Sequence, residues 1–215
     1  MSDLQPPLLE RYVEAILRGA RSEAIDLLAR EGARLTPAER IALIAEAQRE
    51  VGQLWEENRV TIAEEHLATA ISHLALARSF GDSPMARPNG KRVIVACVEG
   101  EQHELPARMA ADTLELAGFE VLFLGANVQT DSLMRIVETR NPDLLALSIA
   151  MTFHTPALKN ALQRLRTQFP SLPIAVGGHA LSFNRTAALQ AGASVTGTSA
   201  PELLEAARRL TGVAA

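Results

Sequence analysis

Only one cysteine, Cys97, occurs in 215 residues, so neither an intrachain disulfide nor a zinc site built on several thiolates exists. Cys97 lies inside an apolar run and reads as a small buried hydrophobe. No apolar stretch reaches 18 residues, and the N-terminus lacks the charged-then-apolar pattern of a secretory signal. A cytoplasmic location off the membrane is therefore expected. A basic excess is missing too: 21 Lys and Arg stand against 25 Asp and Glu, for a formal net charge of −4. That balance argues against direct nucleic-acid binding. Internal repeats and low-complexity tracts are absent. What is present is an ordinary globular balance, 47% hydrophobic and 21% charged, in a chain long enough for two modest domains.

The first 80 residues read as helices. Leu8, Leu9, Tyr12, Val13, Ile16 and Leu17 recur at three- and four-residue spacing until Gly19. Ala24, Ile25, Leu27 and Leu28 mark a second, short helix. Thr36-Pro37-Ala38-Glu39 opens a third with a capping box and proline at its first position, and this helix runs to Trp55. Asn58 and the β-branched Val60-Thr61 interrupt it. A fourth helix spans about Ile62 to Arg78 and stops at Gly81. Four such helices predict a small bundle over residues 1–80.

Residues 81–90 are a linker by composition, and the rhythm then changes. Strand-length apolar runs at 92–98, 120–125, 144–150, 173–177 and 193–196 alternate with helical patterns through to the end. Strict alternation predicts an α/β domain over 91–215, with a five-stranded parallel sheet wound flavodoxin-like (Rossmann-like) and covered on both faces. Ligands of such sheets bind beyond the carboxyl ends of the strands, at the topological switch point.

The informative residues lie at those ends. Strand one is followed by Glu101-Gln102-His103-Glu104-Leu105-Pro106, strand three ends in Ser148-Ile149-Ala150, and strand four ends in Gly177-Gly178. Taken alone, His103 would be a loop histidine in water, Ser148 a strand-end serine and the glycine pair a turn. Together they resemble the fingerprint of cobalamin-binding domains, Asp-x-His-x-x-Gly, then Ser-x-Leu, then Gly-Gly. Here 41 residues (107–147) and 26 residues (151–176) separate the three elements, spacings that the family keeps. Glu101 replaces the usual Asp, Pro106 the usual Gly and Ala150 the usual Leu.

The resemblance implies that the cofactor's benzimidazole leaves the cobalt and its nucleotide tail threads into the domain. His103 then becomes the lower axial ligand and Glu101 holds the other ring nitrogen. Ser148, Thr152, Gly177, Gly178 and Gly197 are the further cofactor contacts, the glycines through close backbone approach. His73, His154 and His179 read as surface or packing residues, contact with the cofactor being the alternative for His179, which follows the glycine pair.

Trp55, the only tryptophan, precedes Glu65-His66 by nine intervening residues. Trp-x9-Glu-His resembles the signature of cobalamin-dependent photoreceptors of the CarH, LitR and AerR type, a likeness that covers nearly all of residues 8–211. It implies a helical cap over the upper corrin face, with Trp55 against an adenosyl group and Glu65 and His66 lining the same pocket. A flat indole suits a bulky upper ligand, and a carboxylate accepts ribose hydroxyls. Read alone, Trp55 would be a core residue and Glu65 a helix-start acid favoured by the dipole. DNA-binding members carry a winged-helix module and nothing like it precedes residue 8, so control of transcription is expected to pass through a regulatory partner protein. Glu56 stands where such members present a histidine, which leaves His66 as the candidate upper ligand in the light.

The expected function is that of a light sensor and not an enzyme, carrying adenosylcobalamin. One alternative is a corrinoid methyl carrier serving a methyltransferase. Another is a photoreceptor that also holds a bilin such as biliverdin, as the related photocobilins do; Cys97 lies within a strand, so no thioether attachment is expected. The upper ligand, the partner and the assembly, homodimer or homotetramer, are left open.

Overall fold

The computed structural model describes residues 7–81 and 85–214, and the chain divides into two compact units at Pro84–Met85. Residues 82–84 of the expected linker lie outside the described residues. The rest of that linker is not loose, because Ala86 N donates to Leu116 O at 2.9 Å and Asn89 N to Gly118 O at 2.9 Å.

The first unit contains α1 (Leu8–Leu17), α2 (Arg21–Arg30), α3 (Pro37–Glu56) and α4 (Ile62–Gly81). Their apolar faces meet in a core that includes Tyr12, Ile16, Ile44 and Leu76. At the start of α3 the expected box forms: Thr36 Oγ1 accepts from Glu39 N, and Thr36 N donates to Glu39 Oε2 at 2.7 Å. A second box, unread in the sequence, starts α4, where Thr61 N donates to Glu64 Oε2 at 2.7 Å and Glu64 N to Thr61 Oγ1 at 3.3 Å. Asn58 ends α3 with φ +57°, and Arg59 N returns to Leu54 O at 2.8 Å. That left-handed exit satisfies the last carbonyls of the helix and leaves Trp55 in its final turn.

The second unit alternates β1 (Arg92–Cys97), α5 (Leu105–Leu116), β2 (Glu120–Gly125), α6 (Thr130–Arg140), β3 (Leu144–Ser148), α7 (Thr155–Gln168), β4 (Ile174–Gly177), α8 (Leu181–Gln190), β5 (Val195–Gly197) and α9 (Ala200–Thr211). All pairings are parallel, in the order β2-β1-β3-β4-β5. The central strands are buried on both sides, which is why they read as unbroken apolar runs. Val93, Val95, Leu144 and Ala146 pack with Leu114 of α5 and Ala207 of α9. The alternate residues Ile94, Leu145, Leu147 and Val176 pack with Leu133 of α6, Leu162 of α7 and Leu181 of α8. The helices after β1 and β3 thus lie on opposite faces although the two strands are neighbours. A crevice opens between their carboxyl ends, the switch point of a flavodoxin-like sheet. Lys91 and Arg92, at the opposite end, are fastened to Asp143 and Glu120 at 2.9 Å each. Among the described residues no helix is long and apolar enough to cross a membrane.

Candidate functional site

Directly after β1 the chain makes a tight loop. Val98 N donates to Ser148 O at 3.2 Å, and Glu101 N to Val98 O at 3.0 Å. Gly100 takes φ +87°, and a Cβ there would stand 2.9 Å from the His154 ring. The loop thereby presents Glu101 inward and His103 outward: Glu101 is fully buried, while the His103 side chain is 49% exposed.

Glu101 spans the switch point. Its Oε1 accepts from His103 N at 2.9 Å and lies 2.6 Å from His103 Nδ1. Its Oε2 accepts from Ala150 N at 2.8 Å and Met151 N at 3.0 Å, just beyond β3. Burial alone would push this carboxyl up, but the His103 ring and the three backbone amides outweigh it and hold the group at about 2. An ionised carboxylate against Nδ1 keeps the proton on that nitrogen and the lone pair on Nε2. The ring is thus set up as a one-point ligand of fixed tautomer. Among the described residues no three His, Cys, Asp or Glu gather to hold a bare metal ion. A metal delivered in a macrocycle asks only for one such imidazole, so the donor set fits a corrinoid.

The other expected contacts take their places along the same edge. Ser148 is buried at the end of β3, in register with Cys97 and Gly177. Gly177 pairs with Gly197 at the end of β5, and a Cβ on Gly177 would only touch Gly197 O at 3.5 Å. Gly178 differs: with φ +114°, its Cβ would fall 2.2 Å from Ile149 O. The close approach there is to the protein's own backbone, so the loop itself requires glycine at this position. Thr152 is exposed and opens a 3-10 turn, Thr152–His154. His154 packs on Gly100 and against Phe153, ring centroids 4.2 Å apart, while His179 is exposed beyond Gly178. Cys97 is buried and its thiol is pushed up to about 12, chiefly by burial and then by the charges of Glu101 and Glu104.

Three residues of this edge escaped the sequence reading. Asn127, at φ +51°, accepts from Gly100 N at 2.8 Å and donates its own N–H to Glu101 O at 2.8 Å. Glu104 Oε2 accepts from Ala126 N at 2.9 Å, and Glu99 Oε2 from Thr130 Oγ1 at 3.2 Å. The three acids of one loop therefore share no partner. The signal available was the density of acids in Glu99–Glu104 and the Gly-Ala-Asn turn after β2.

In the helical unit, Trp55 is 38% exposed in the last turn of α3. Glu65 lies in the first turn of α4 and His66 follows it, with His66 Nε2 3.6 Å from Glu65 Oε2 and side-chain exposures of 69% and 19% for His66 and Glu65. Trp55 and the Glu65–His66 pair thus flank one turn, residues 57–61. Both Glu64 and Glu65 are in the first turn: Glu64 closes the capping box, and Glu65 accepts from Thr69 Oγ1 at 2.8 Å.

A doubly wound sheet with a carboxylate-held imidazole at its switch point is a ligand-binding domain. The chain belongs to the B12 binding domain family, whose model matches residues 91–207, and a second B12 binding domain model matches residues 8–78. It is 33% identical over 132 residues to the HTH-type transcriptional repressor CarH of Myxococcus xanthus, covering 61% of this chain and 44% of the repressor. Dimethylamine corrinoid protein 1 of Methanosarcina acetivorans is 22% identical over 164 residues, 75% of this chain and 77% of that protein. The fold is that of the Methanosarcina barkeri monomethylamine corrinoid protein, with TM-score 0.79 at 18% identity, covering 94% and 98% of the two chains. The chain spans less than half the length of the CarH repressor it matches.

Proposed function

We propose that this cobalamin-binding chain is a light sensor that signals through a partner protein. The observation that carries the reading is the set Trp55, Glu65 and His66 flanking one turn of the helical unit, in a chain whose α/β unit carries a fixed imidazole. Bound adenosylcobalamin supplies a cobalt–carbon bond that light breaks. His103 is the lower ligand, oriented by Glu101. Ser148, Thr152, Gly177, Gly178 and Gly197 serve the tail, Gly178 by shaping the loop rather than by direct approach. Trp55 offers an apolar face to the adenosyl group, Glu65 accepts its hydroxyls, and His66, the more exposed of the pair, is the imidazole available in the light.

The 75% and 77% coverage with a dimethylamine corrinoid protein favours a second reading, a methyl carrier for a partner methyltransferase. A third, with a bilin such as biliverdin also bound, requires noncovalent attachment, because Cys97 is buried and its thiol is held near 12.

The deciding experiment is size-exclusion chromatography of adenosylcobalamin-loaded protein in darkness and after green light, with and without candidate regulators, at equal cofactor content. A sensor changes its size or its hold on a partner. No difference between the two conditions sinks the sensor reading, and uptake of a methyl group from a methyltransferase would establish the carrier.

A further inference from the structure

Glu65 begins a line of polar side chains that runs into the middle of the helical bundle. Its Oε1 faces Thr69 Oγ1 at 2.8 Å, one turn further along α4. The same hydroxyl lies 2.7 Å from Gln48 Oε1 on α3. The Gln48 amide lies 2.8 Å from Ser72 Oγ, and Ser72 Oγ lies 3.1 Å from the Tyr12 hydroxyl on α1. Ser72 and Tyr12 are completely buried. Burial pushes the Tyr12 hydroxyl up to about 12, partly offset by its bond to Ser72, so it stays a neutral donor. Five polar groups on three helices occupy space that apolar side chains would fill at lower desolvation cost.

Thr69 has one hydroxyl hydrogen and two acceptors within reach, so it serves Glu65 or Gln48 but not both. When it serves Glu65, the Gln48 amide turns over and every member donates in one direction, from Tyr12 through Ser72, Gln48 and Thr69 to the carboxylate. Its alternative is Gln48 Oε1, with Gln48 Nε2 donating to Ser72 and toward Ala68 O at 3.5 Å; a ligand whose hydroxyls meet Glu65 selects the first arrangement, in which Thr69 holds the carboxylate for them.

We propose that Thr69 and Gln48 are positioning residues for Glu65, holding its carboxylate for the upper ligand's hydroxyls and passing its occupancy to Tyr12 and α1. The inference rests on the reading of Glu65 as an upper-ligand contact. A hydrogen bond of this kind shifts an equilibrium by about three- to tenfold.

The test is the ratio of adenosylcobalamin to methylcobalamin affinity in darkness, since methylcobalamin brings no ribose to Glu65. Thr69→Val is expected to lower that ratio about three- to tenfold, with Thr69→Ser restoring it. Gln48→Met, which keeps the volume, should lower it as well and serves if Thr69→Val fails to fold. Hydrogen exchange supplies a second readout: loading wild type with adenosylcobalamin should change amide protection in α1, and loading Thr69→Val should not. An unchanged ratio in folded variants, an equal loss for both cobalamins, or the same α1 response in Thr69→Val overturns the relay. A wild type with no preference for adenosylcobalamin instead overturns the upper-ligand reading of Glu65, and the relay with it.

Discussion

Glu101 meets the ring of His103 at 2.6 Å with one carboxylate oxygen while the other holds the backbone of Ala150 and Met151. One buried acid therefore sets the tautomer of the imidazole and ties the loop after β1 to the loop after β3.

Glu101→Gln should expose this double duty. An amide offers one acceptor and one donor where the site asks for two acceptors, so either Nδ1–H or two backbone N–H groups lose their partner. Cobalamin affinity should fall about 10- to 100-fold. Stability should fall by about 1–3 kcal/mol. His103→Ala should weaken binding, or return the cofactor to its benzimidazole-ligated spectrum, with the fold intact. Spectral titration and urea unfolding separate the two variants. A His103→Ala protein with wild-type affinity and spectrum would remove His103 as the lower ligand.

The neighbouring glycines should behave oppositely. Gly178→Ala places a methyl group 2.2 Å from Ile149 O at φ +114°, so we expect a loss of at least about 1–3 kcal/mol in the protein without cofactor. Gly177→Ala adds only an ordinary 3.5 Å contact. It should leave that stability nearly unchanged and weaken cobalamin binding instead. Comparable urea midpoints for the two variants would contradict this division.

Asp112 gives a pH dependence. It is fully buried, and Arg108 Nε lies 2.7 Å from its Oδ1. Burial first, and Glu115 after it, raise this carboxyl from 3.8 to about 6, against the lowering pull of Arg108. A carboxyl with a raised folded pKa holds its proton more tightly folded than unfolded. Its contribution to stability is complete below 3.8 and is lost as pH rises through about 6. Asp112→Asn should therefore stabilise the protein at pH 8, by up to about 2–3 kcal/mol, and do little at pH 4. Urea midpoints at both pH values check it, and an equal gain at each would rule the titration out.

What the sequence revealed and what it hid follow from range. His103, Ser148 and Gly177 were legible because their spacing is fixed by the strand and helix lengths between them, and a doubly wound sheet brings strand ends together. The helices of the first unit were legible from period and caps, and Asn58 from its turn chemistry. The break before Ile62 was legible, but the box that Thr61 forms with Glu64 went unread, although Thr-x-x-Glu stood there, because two β-branched residues weaken a helix signal. Asn127 and Glu104 were hidden because their partners lie in other loops, which no local pattern records. Gln48 and Thr69 looked like ordinary mid-helix polar residues, and only the packing of α3 on α4 turns them inward together. The Ile149 backbone against Gly178 was hidden, since sequence does not show which backbone neighbour a glycine meets.

Trp55 carries the prediction that bears most on the upper ligand. At 38% exposure in the last turn of α3, it leaves apolar surface in water, and truncating it should cost the unloaded protein less than burial of a core aromatic would. If the indole instead covers an adenosyl group, the surface it buries appears only on loading. Trp55→Ala should then weaken adenosylcobalamin by about 5- to 30-fold, the equivalent of about 1–2 kcal/mol of aromatic contact. Methylcobalamin, with a single carbon above the cobalt, should lose at most about threefold by the same contact argument. Trp55→Phe keeps a flat ring and should recover most of the difference. Dark equilibrium titrations of the three proteins with both cobalamins, beside their urea midpoints, make the measurement. Equal loss for the two cofactors, or a stability loss like that of a core aromatic, would return Trp55 to a structural role in the helical unit and remove the indole from the upper-ligand assignment.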